Sequence, residues 1–255
     1  MRGRIASIHR YPVKGFTPER VDSAVLEPGR PFPCDRLYAV ENGPSGFDPL
    51  NPAFTPKQKF TVLAAIPDVA RARTAYDEAS GVLTAKAPGL PDFAASLADG
   101  AGRAAFAAWL GDLIADDVRG PLRVLEGPGA HRFTDHPQGQ VSIINLASLR
   151  ELERCVGQPV DPLRFRANLY VDGWPAWAEA DWDGRDLTLG AVRARVFKSI
   201  VRCAATHVNP ATAERDLEVV RALHENFGHM NLGIYVHVVD GGRVQTGDAC
   251  EGPAA

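Results

Sequence analysis

The chain is predicted to be a mainly β protein of the α+β class, barrel-like, with a few peripheral helices. Three observations carry this. Short runs of alternating apolar and polar residues outnumber the helical stretches. Twenty prolines and 24 glycines break the chain, above all its first hundred residues, into pieces bounded by turns. No βαβ alternation of the dinucleotide-binding kind is visible.

The strands expected in the first part are Arg4–His9, Val21–Glu27, Leu37–Val40, Phe60–Ala65, Arg71–Tyr76 and Val82–Ala87. Between them Glu41–Pro56, with four prolines and two glycines, is a loop by composition. Arg103–Val118 is the clearest helix, because Phe106, Trp109, Leu110, Leu113 and Ile114 recur at the spacing of one helical face. It marks the junction between two halves. A short helix is expected at Ala147–Val156 with Gly157 as its stop, and a third after Asn209-Pro210, with Leu217, Val220, Leu223 and Phe227 on one face and Gly228 as terminator. Glu214, Asp216 and Glu218 then fall in the first turns of that third helix, where negative charge suits the helix dipole. Further strands are expected at Leu122–Glu126, Val141–Asn145, Asn168–Val171, Leu187–Leu189, Arg193–Ile200, Ile234–Asp240 and Arg243–Thr246, with Asp240-Gly241-Gly242 as a hairpin turn between the last two.

Composition narrows the function. With 255 residues, 45% hydrophobic and 23% charged, the chain can bury a sizeable core. A net charge of -3 lacks the basic excess of a nucleic-acid binder, so an anionic ligand must be met by a local cluster of cations. Cys34, Cys155, Cys203 and Cys250 form no CxxC pair, which excludes the common zinc and iron–sulfur spacings and points to a reducing, cytoplasmic location. No signal peptide or membrane span is expected. His224 and His229 lie five residues apart, one too many to share a helix face as in a zinc protease.

One cysteine stands apart. Cys203 follows Arg202 at the end of an alternating strand and precedes Thr206-His207-Val208-Asn209-Pro210. A thiol beside a fixed cation is biased toward thiolate, the form that binds soft metals and attacks electrophiles. Cys34, Cys155 and Cys250 are read as structural.

Five blocks, in order along nearly the whole chain, resemble the MOSC family, the molybdenum-cofactor sulfurase C-terminal domain, in the two-part arrangement of amidoxime-reducing components and YcbX-type proteins. They are Tyr11-Pro12-Val13-Lys14-Gly15, Asp35-Arg36-Leu37-Tyr38, Arg164-Phe165-Arg166-Ala167-Asn168, Arg202-Cys203 with its Thr206 to Pro210 sequel, and Gly233-Ile234-Tyr235 followed by Gly247-Asp248. The resemblance implies a MOSC N-terminal β-barrel domain near residues 1–100 and a MOSC domain near 105–252. It implies Cys203 as catalytic residue and molybdenum ligand, with Lys14, Arg36, Asn145, Arg166, Asn168, Arg202 and Tyr235 holding the pyranopterin of the molybdenum cofactor. Guanidinium forks and an ammonium suit its phosphate, and an Asn amide can meet both edges of a pterin. The implied activity is reduction of N-hydroxylated or N-oxide compounds by oxygen-atom removal, on a small-molecule substrate, with electrons from a separate ferredoxin, flavin reductase or cytochrome-type protein. A sulfur carrier using a Cys203 persulfide, or a non-catalytic cofactor carrier, are the alternatives. Gly15, Asn145, Val201 and Asn209 depart from the family pattern and leave the substrate open.

Overall fold

The computed structural model describes residues 1–139 and 141–253. Fifteen strands and three helices follow one another along the described chain. The first half contributes β1 (Arg2–Arg10), β2 (Glu19–Val21), β3 (Ser23–Leu26), β4 (Tyr38–Asn42), β5 (Arg73–Tyr76), β6 (Val82–Lys86), β7 (Phe93–Ser96), α1 (Gly100–Leu113) and β8 (Leu122–Glu126). The second half adds β9 (Val141–Asn145), α2 (Leu146–Val156), β10 (Leu169–Asp172), β11 (Asp186–Leu189), β12 (Val192–Val201), α3 (Val219–Phe227), β13 (Asn231–Asp240), β14 (Gly242–Gln245) and β15 (Ala249–Glu251). The mainly β, α+β class is what the structure shows.

Seven strands close into a barrel in the order β1, β10, β9, β13, β12, β11, β15 and back to β1. Closure depends on β1, whose residues pair with β10 along one edge and with β15 along the other. Its outer end, Ile8 to Arg10, carries β2 as a flap. The alternating pattern of β12 works as expected: Val192, Ala194 and Val196 point into the barrel core, while Arg193 and Arg195 face water. Inside, Ile5, Ile8, Ile143, Leu169, Val171, Leu189 and Ile234 pack into one apolar cluster that also takes in Cys250, in keeping with a structural role for that thiol.

A second core lies between the sheet β5-β6-β7, the pair β4-β8 and α1. Here Phe106, Leu110, Leu113 and Ile114 are buried as the periodicity requires. Gly102 of α1 passes so close to β7 that an added Cβ would fall 1.8 Å from the Ser96 carbonyl oxygen. Arginines tie this region to the barrel side: Arg73 donates to the Pro210 and Ala211 carbonyls, and Arg215 to Leu63, Ala64 and Ala204.

Several expectations need correction. Phe60–Ala65 is no strand. Phe60, Val62, Leu63 and Ile66 are buried, but the backbone turns, with Ala65 N and Ile66 N both donating to the Val62 carbonyl. The expected strand Val21–Glu27 is two strands, since the chain leaves β1 at Asp22 and pairs onward with β14 as β3. Accordingly Asp240-Gly241-Gly242 joins strands that pair elsewhere, and makes no hairpin. The segment Arg164 to Asn168 is not strand either: Pro162–Phe165 is a short 3-10 turn and Arg166 is left-handed at φ 53°. α1 starts earlier, capped by the Asp99 side chain on Gly102 N at 2.7 Å, and ends at Leu113. α3 begins only at Val219. The Pro210 segment instead folds into a turn with left-handed Ala213, closed by a bridge between Val208 and Arg215. Glu214 and Asp216 therefore lie outside the helix, and Asp216 accepts from Arg164 and Asn209. One βαβ unit also occurs: β9 and β10 pair in parallel across α2.

His9, in the barrel wall, is 8% exposed. Its Nε2 lies 3.1 Å from Ser7 Oγ, while its Nδ1 finds no partner. Burial, reinforced by Arg20, pushes its pKa down to about 4. The unfolded chain then binds the proton that the folded one refuses, so stability should fall as pH drops from about 6.5 toward 4. Urea unfolding of wild type and His9→Gln across that window checks this; equal slopes with pH would refute it.

Candidate functional site

The residues on either side of the barrel mouth are brought together by backbone ties. Arg36 N donates to the Tyr11 carbonyl at 2.7 Å, Tyr38 N to Pro12, and Lys14 N to Tyr38. These bonds fix Lys14 beside Arg36. Tyr11 itself is buried, its amide donating to Asp35 Oδ1 and its hydroxyl to the Ala167 carbonyl. Its ring is the platform of the site: the guanidinium carbons of Arg36 and Arg166 lie 4.8 and 4.4 Å from its centroid. Both arginines are in the left-handed backbone region, at φ 51° and 53°, a costly conformation for a residue with a Cβ that tends to mark functional positions.

The end of β12 delivers the other side. Pairing irregularities with β13 between Val196 and Lys198, and between Ser199 and Val201, re-aim the strand as β-bulges do. Lys198, Arg202 and Cys203 then line one cavity of about 220 Å³ together with Arg36, Arg166 and Asn168. Tyr235 lines the same cavity. Lys14 reaches it from below, through an adjoining small cavity that Arg36, Arg166 and Cys203 also line. Of the residues expected to hold a ligand, only Asn145 is elsewhere. It caps α2, accepting from Ala147 N, and its amide nitrogen donates to the Pro175 carbonyl and to buried Glu179. Neither end of that amide is left for a ligand.

The cations of the site differ in what balances them. Arg36 pairs with Asp35, and Lys14 with Asp135 at 2.5 Å. Burial depresses the Lys14 pKa, with Asp135 working against it. Arg202 is buried and answered by neutral oxygens, its guanidinium donating to the Leu232 and Phe165 carbonyls. Arg166 donates to the Phe16 carbonyl, while its buried Nη2 has no partner. Among the described residues neither Arg166 nor Arg202 forms an ion pair with an acid. Burial lowers the pKa of both, yet a guanidinium stays charged in proteins. Asn168 braces the floor: its Oδ1 accepts from Ser142 N and Ser142 Oγ, and its Nδ2 donates to the His9 carbonyl.

Three further residues belong to the site and carried no sequence signal. Lys57 follows the loop that ends at Pro56 and lines both cavities with Cys203. Burial opposes its charge, but the neighbouring Cys203 sulfur, together with Asp135 and Tyr235, raises its pKa. Asp135 and His136 come from the segment between β8 and β9. Burial would raise the Asp135 pKa, but Lys14, Arg36 and Lys57 hold it well below the usual carboxylate range. The Cys203 thiol, half-buried at the start of a 3-10 turn, thus opens onto a cavity with Lys57 and Arg202 at hand.

The chemistry of this donor set suits an anionic ligand with a soft centre. A thiolate is offered for a soft metal, an unpartnered guanidinium nitrogen for an acceptor oxygen, and several cations for phosphate. Among the described residues no group of three or more His, Cys, Asp and Glu could by itself hold a metal ion, and no described helix is long and apolar enough to cross a membrane.

Two family models together match most of the chain. Residues 130–251 match the family model of the MOSC domain, and residues 2–117 that of the MOSC N-terminal beta barrel domain. A molybdenum cofactor sulfurase of Drosophila pseudoobscura pseudoobscura is 33% identical over 102 residues, which are 39% of this chain and 12% of that one. Mitochondrial amidoxime-reducing component 1 of Xenopus laevis is 28% identical over 120 residues, 42% of this chain and 34% of that one. These matches span well under two thirds of the relatives' own length. The YUAD protein from Bacillus subtilis aligns over 98% of this chain and 95% of its own, at 14% identity and a TM-score of 0.46.

Gly233, at φ +84° in β13, lies against the site. A Cβ there would meet the Ile143 carbonyl oxygen at 2.5 Å and Arg202 Nη2 at 3.0 Å. Gly233→Ala should therefore cost about 1–3 kcal/mol of stability through backbone strain alone, and push Arg202 off its carbonyl partners. Denaturant midpoints indistinguishable from wild type would contradict this.

Proposed function

The chain belongs to the MOSC domain family, and from that premise we propose that it is a molybdenum-cofactor enzyme that removes oxygen reductively from N-hydroxylated or N-oxide compounds. The observation that carries the reading is the convergence, in one cavity, of the Cys203 thiol with Arg36, Arg166, Arg202 and Lys57, where Arg166 keeps a buried donor without a partner. When bound, the cofactor supplies two-electron redox chemistry at molybdenum. Every other task falls to the protein.

In this reading Cys203 would present its sulfur to the metal, with Lys57 lining the cavity beside it. Arg36 and Arg166, both over the Tyr11 ring, would bring positive charge to phosphate oxygens, Arg166 through its unpartnered Nη2, and Lys14 adds a point charge. Arg202 braces the strand end by tying Leu232 to Phe165. Tyr235, whose pKa is raised by burial and by Asp135, keeps its phenol proton at neutral pH as a hydrogen-bond donor facing the cavity. The substrate is a small molecule, and the electrons come from a separate ferredoxin, flavin reductase or cytochrome-type protein. Asn145 has no part in this, because its amide is engaged by the α2 cap, the Pro175 carbonyl and Glu179.

The half-exposed Cys203 thiol next to Lys57 also favours a second reading, in which it carries a persulfide and passes sulfur on. Metal and sulfur content separate the two: stoichiometric molybdenum with pterin supports the reductase, and sulfane sulfur on Cys203 without metal supports the carrier.

Cys203→Ala should abolish reduction of benzamidoxime by reduced viologen dye in protein from a molybdate-fed, cofactor-competent host. Pterin content should fall less than activity, because the phosphate contacts do not pass through the sulfur. Cys155→Ala and Cys250→Ala should alter neither, with packing losses on the order of 1 kcal/mol. An active wild type matched by a fully active Cys203→Ala variant would show the ligand assignment to be wrong.

A further inference from the structure

Asp135 is the one acid of the cavity that lies among several cations at once. Asp35, the other carboxylate there, is buried and committed to Arg36 and to Tyr11 N. The two residues of the Lys14–Asp135 pair sit in unlike surroundings. The Lys14 side chain is 4% exposed and that of Asp135 46%, so the ammonium is fixed in the floor while the carboxylate reaches down to it from the solvent side. Lys14 Nζ also donates to the Phe133 carbonyl at 2.9 Å. Arg36, Lys57, Arg166 and Cys203 line the same small cavity.

The segment that carries Asp135 is pinned just before it by backbone and ring contacts, and just after it by ring contacts without strand pairing. Phe133 is buried against Phe60 and Phe47, and its amide donates to the Arg36 carbonyl. Beyond Asp135 the hydrogen bonds among the described residues are local, with Thr134 Oγ1 and Gly139 N donating to the His136 carbonyl and Gln138 N to His136 Nδ1, while the His136 ring packs against Phe197 and Tyr235. No strand pairs with residues 134 to 139. A rotation of the Asp135 side chain, 46% exposed, would free Lys14 without breaking the Phe133 amide bond or any strand pairing.

We propose that the Asp135 carboxylate is a displaceable internal counter-anion, which occupies the Lys14 ammonium until an acidic group of the incoming anionic ligand takes its place. Ligand binding at this site is then an exchange of one anion for another. A buried ammonium without an anion is costly, and the exchange leaves Lys14 paired before and after. It also sets a threshold, since a ligand must bring a group that competes with a charge-assisted hydrogen bond. The inference rests on reading the cavity as an anion site, and not on any turnover.

Inorganic phosphate, titrated calorimetrically into the full chain produced in a host that makes no molybdenum cofactor, tests it. Asp135→Asn should bind phosphate about ten-fold tighter than wild type, the scale of one charge-assisted hydrogen bond no longer in competition. In a Lys14→Met background the same Asp135 change should have little effect, because the contested partner is gone. Asp135→Ala serves the same arm if the Asn variant fails to fold, with thermal melts confirming folding of each protein. An equal gain with and without Lys14 would mean that Asp135 acts only through the general field, and overturns the proposal. Phosphate binding no tighter in either Asp135 variant, or absent from all the proteins, overturns it too. None of these readouts needs molybdenum, so failure of the reductase reading is seen separately, in the Cys203 assays.

Discussion

The cavity depends on the way the first strand of the chain is shared. Arg2–Arg10 pairs with Leu169–Asp172 on one side and with Ala249–Glu251 on the other, so the N-terminal segment is a stave of the barrel built otherwise from the second half. Past Arg10 the chain leaves the sheet at the barrel mouth, and Tyr11 to Lys14 are tied at once to Asp35–Tyr38. Without that closure Lys14 and Arg36 would have no fixed relation to Cys203, which lies nearly two hundred residues on. The apolar cluster of Ile5, Ile8, Leu169, Val171 and Cys250 supplies the driving force, since each of these side chains is removed from water only when the ring is complete.

Placing several cations at one mouth works against folding, and the structure shows what offsets it. Arg202 is met by carbonyl oxygens, Arg36 by Asp35 and Arg166 in part by the Phe16 carbonyl. The face of Tyr11 attracts two guanidiniums through its quadrupole. These contacts replace water incompletely, because Arg166 Nη2 remains unanswered. Left-handed backbone at Arg36 and Arg166 adds a further cost. A site that is strained and short of anions is unfavourable for the protein alone and becomes favourable when it meets an acidic ligand, which is the physical sense in which it is organised for one.

Elsewhere, buried polar groups serve the frame. Glu179, its pKa raised by burial, is answered by Asn145 and Ser148, and Ser148 in turn accepts from Trp177 N. This network seats α2 over the parallel pair β9 and β10. Arg164, which shares a sequence block with Arg166, turns instead to the His207 carbonyl and Asp216. There it holds the turn that follows Cys203. Two arginines with one residue between them thus have separate tasks, because the 3-10 turn at Pro162–Phe165 and the left-handed Arg166 send their side chains to different partners.

Legible in the sequence were the strand-rich class, the inward face of Val192–Val201 and the apolar stripe of α1, while the cysteine and arginines of the cavity came from the family resemblance of short blocks. The first three rest on period-two and period-3.6 patterns. Which strands are neighbours was left to the tertiary structure: that Val21–Glu27 divides between two partners, that Phe60–Ala65 makes one bridge, Phe60 to Glu41, and then turns, and that β9 and β10 run in parallel. An apolar run shows that a segment is buried and is silent on its hydrogen-bond partners. Asn145 illustrates the same limit, since an amide suited to a pterin is equally suited to a helix cap, and only its neighbours Ala147, Pro175 and Glu179 settle which it serves. Lys57 and Asp135 were illegible for a related reason. Each lies in an irregular segment without periodicity, and each gains its meaning from charges more than fifty residues away in the chain, brought within reach only when the barrel closes.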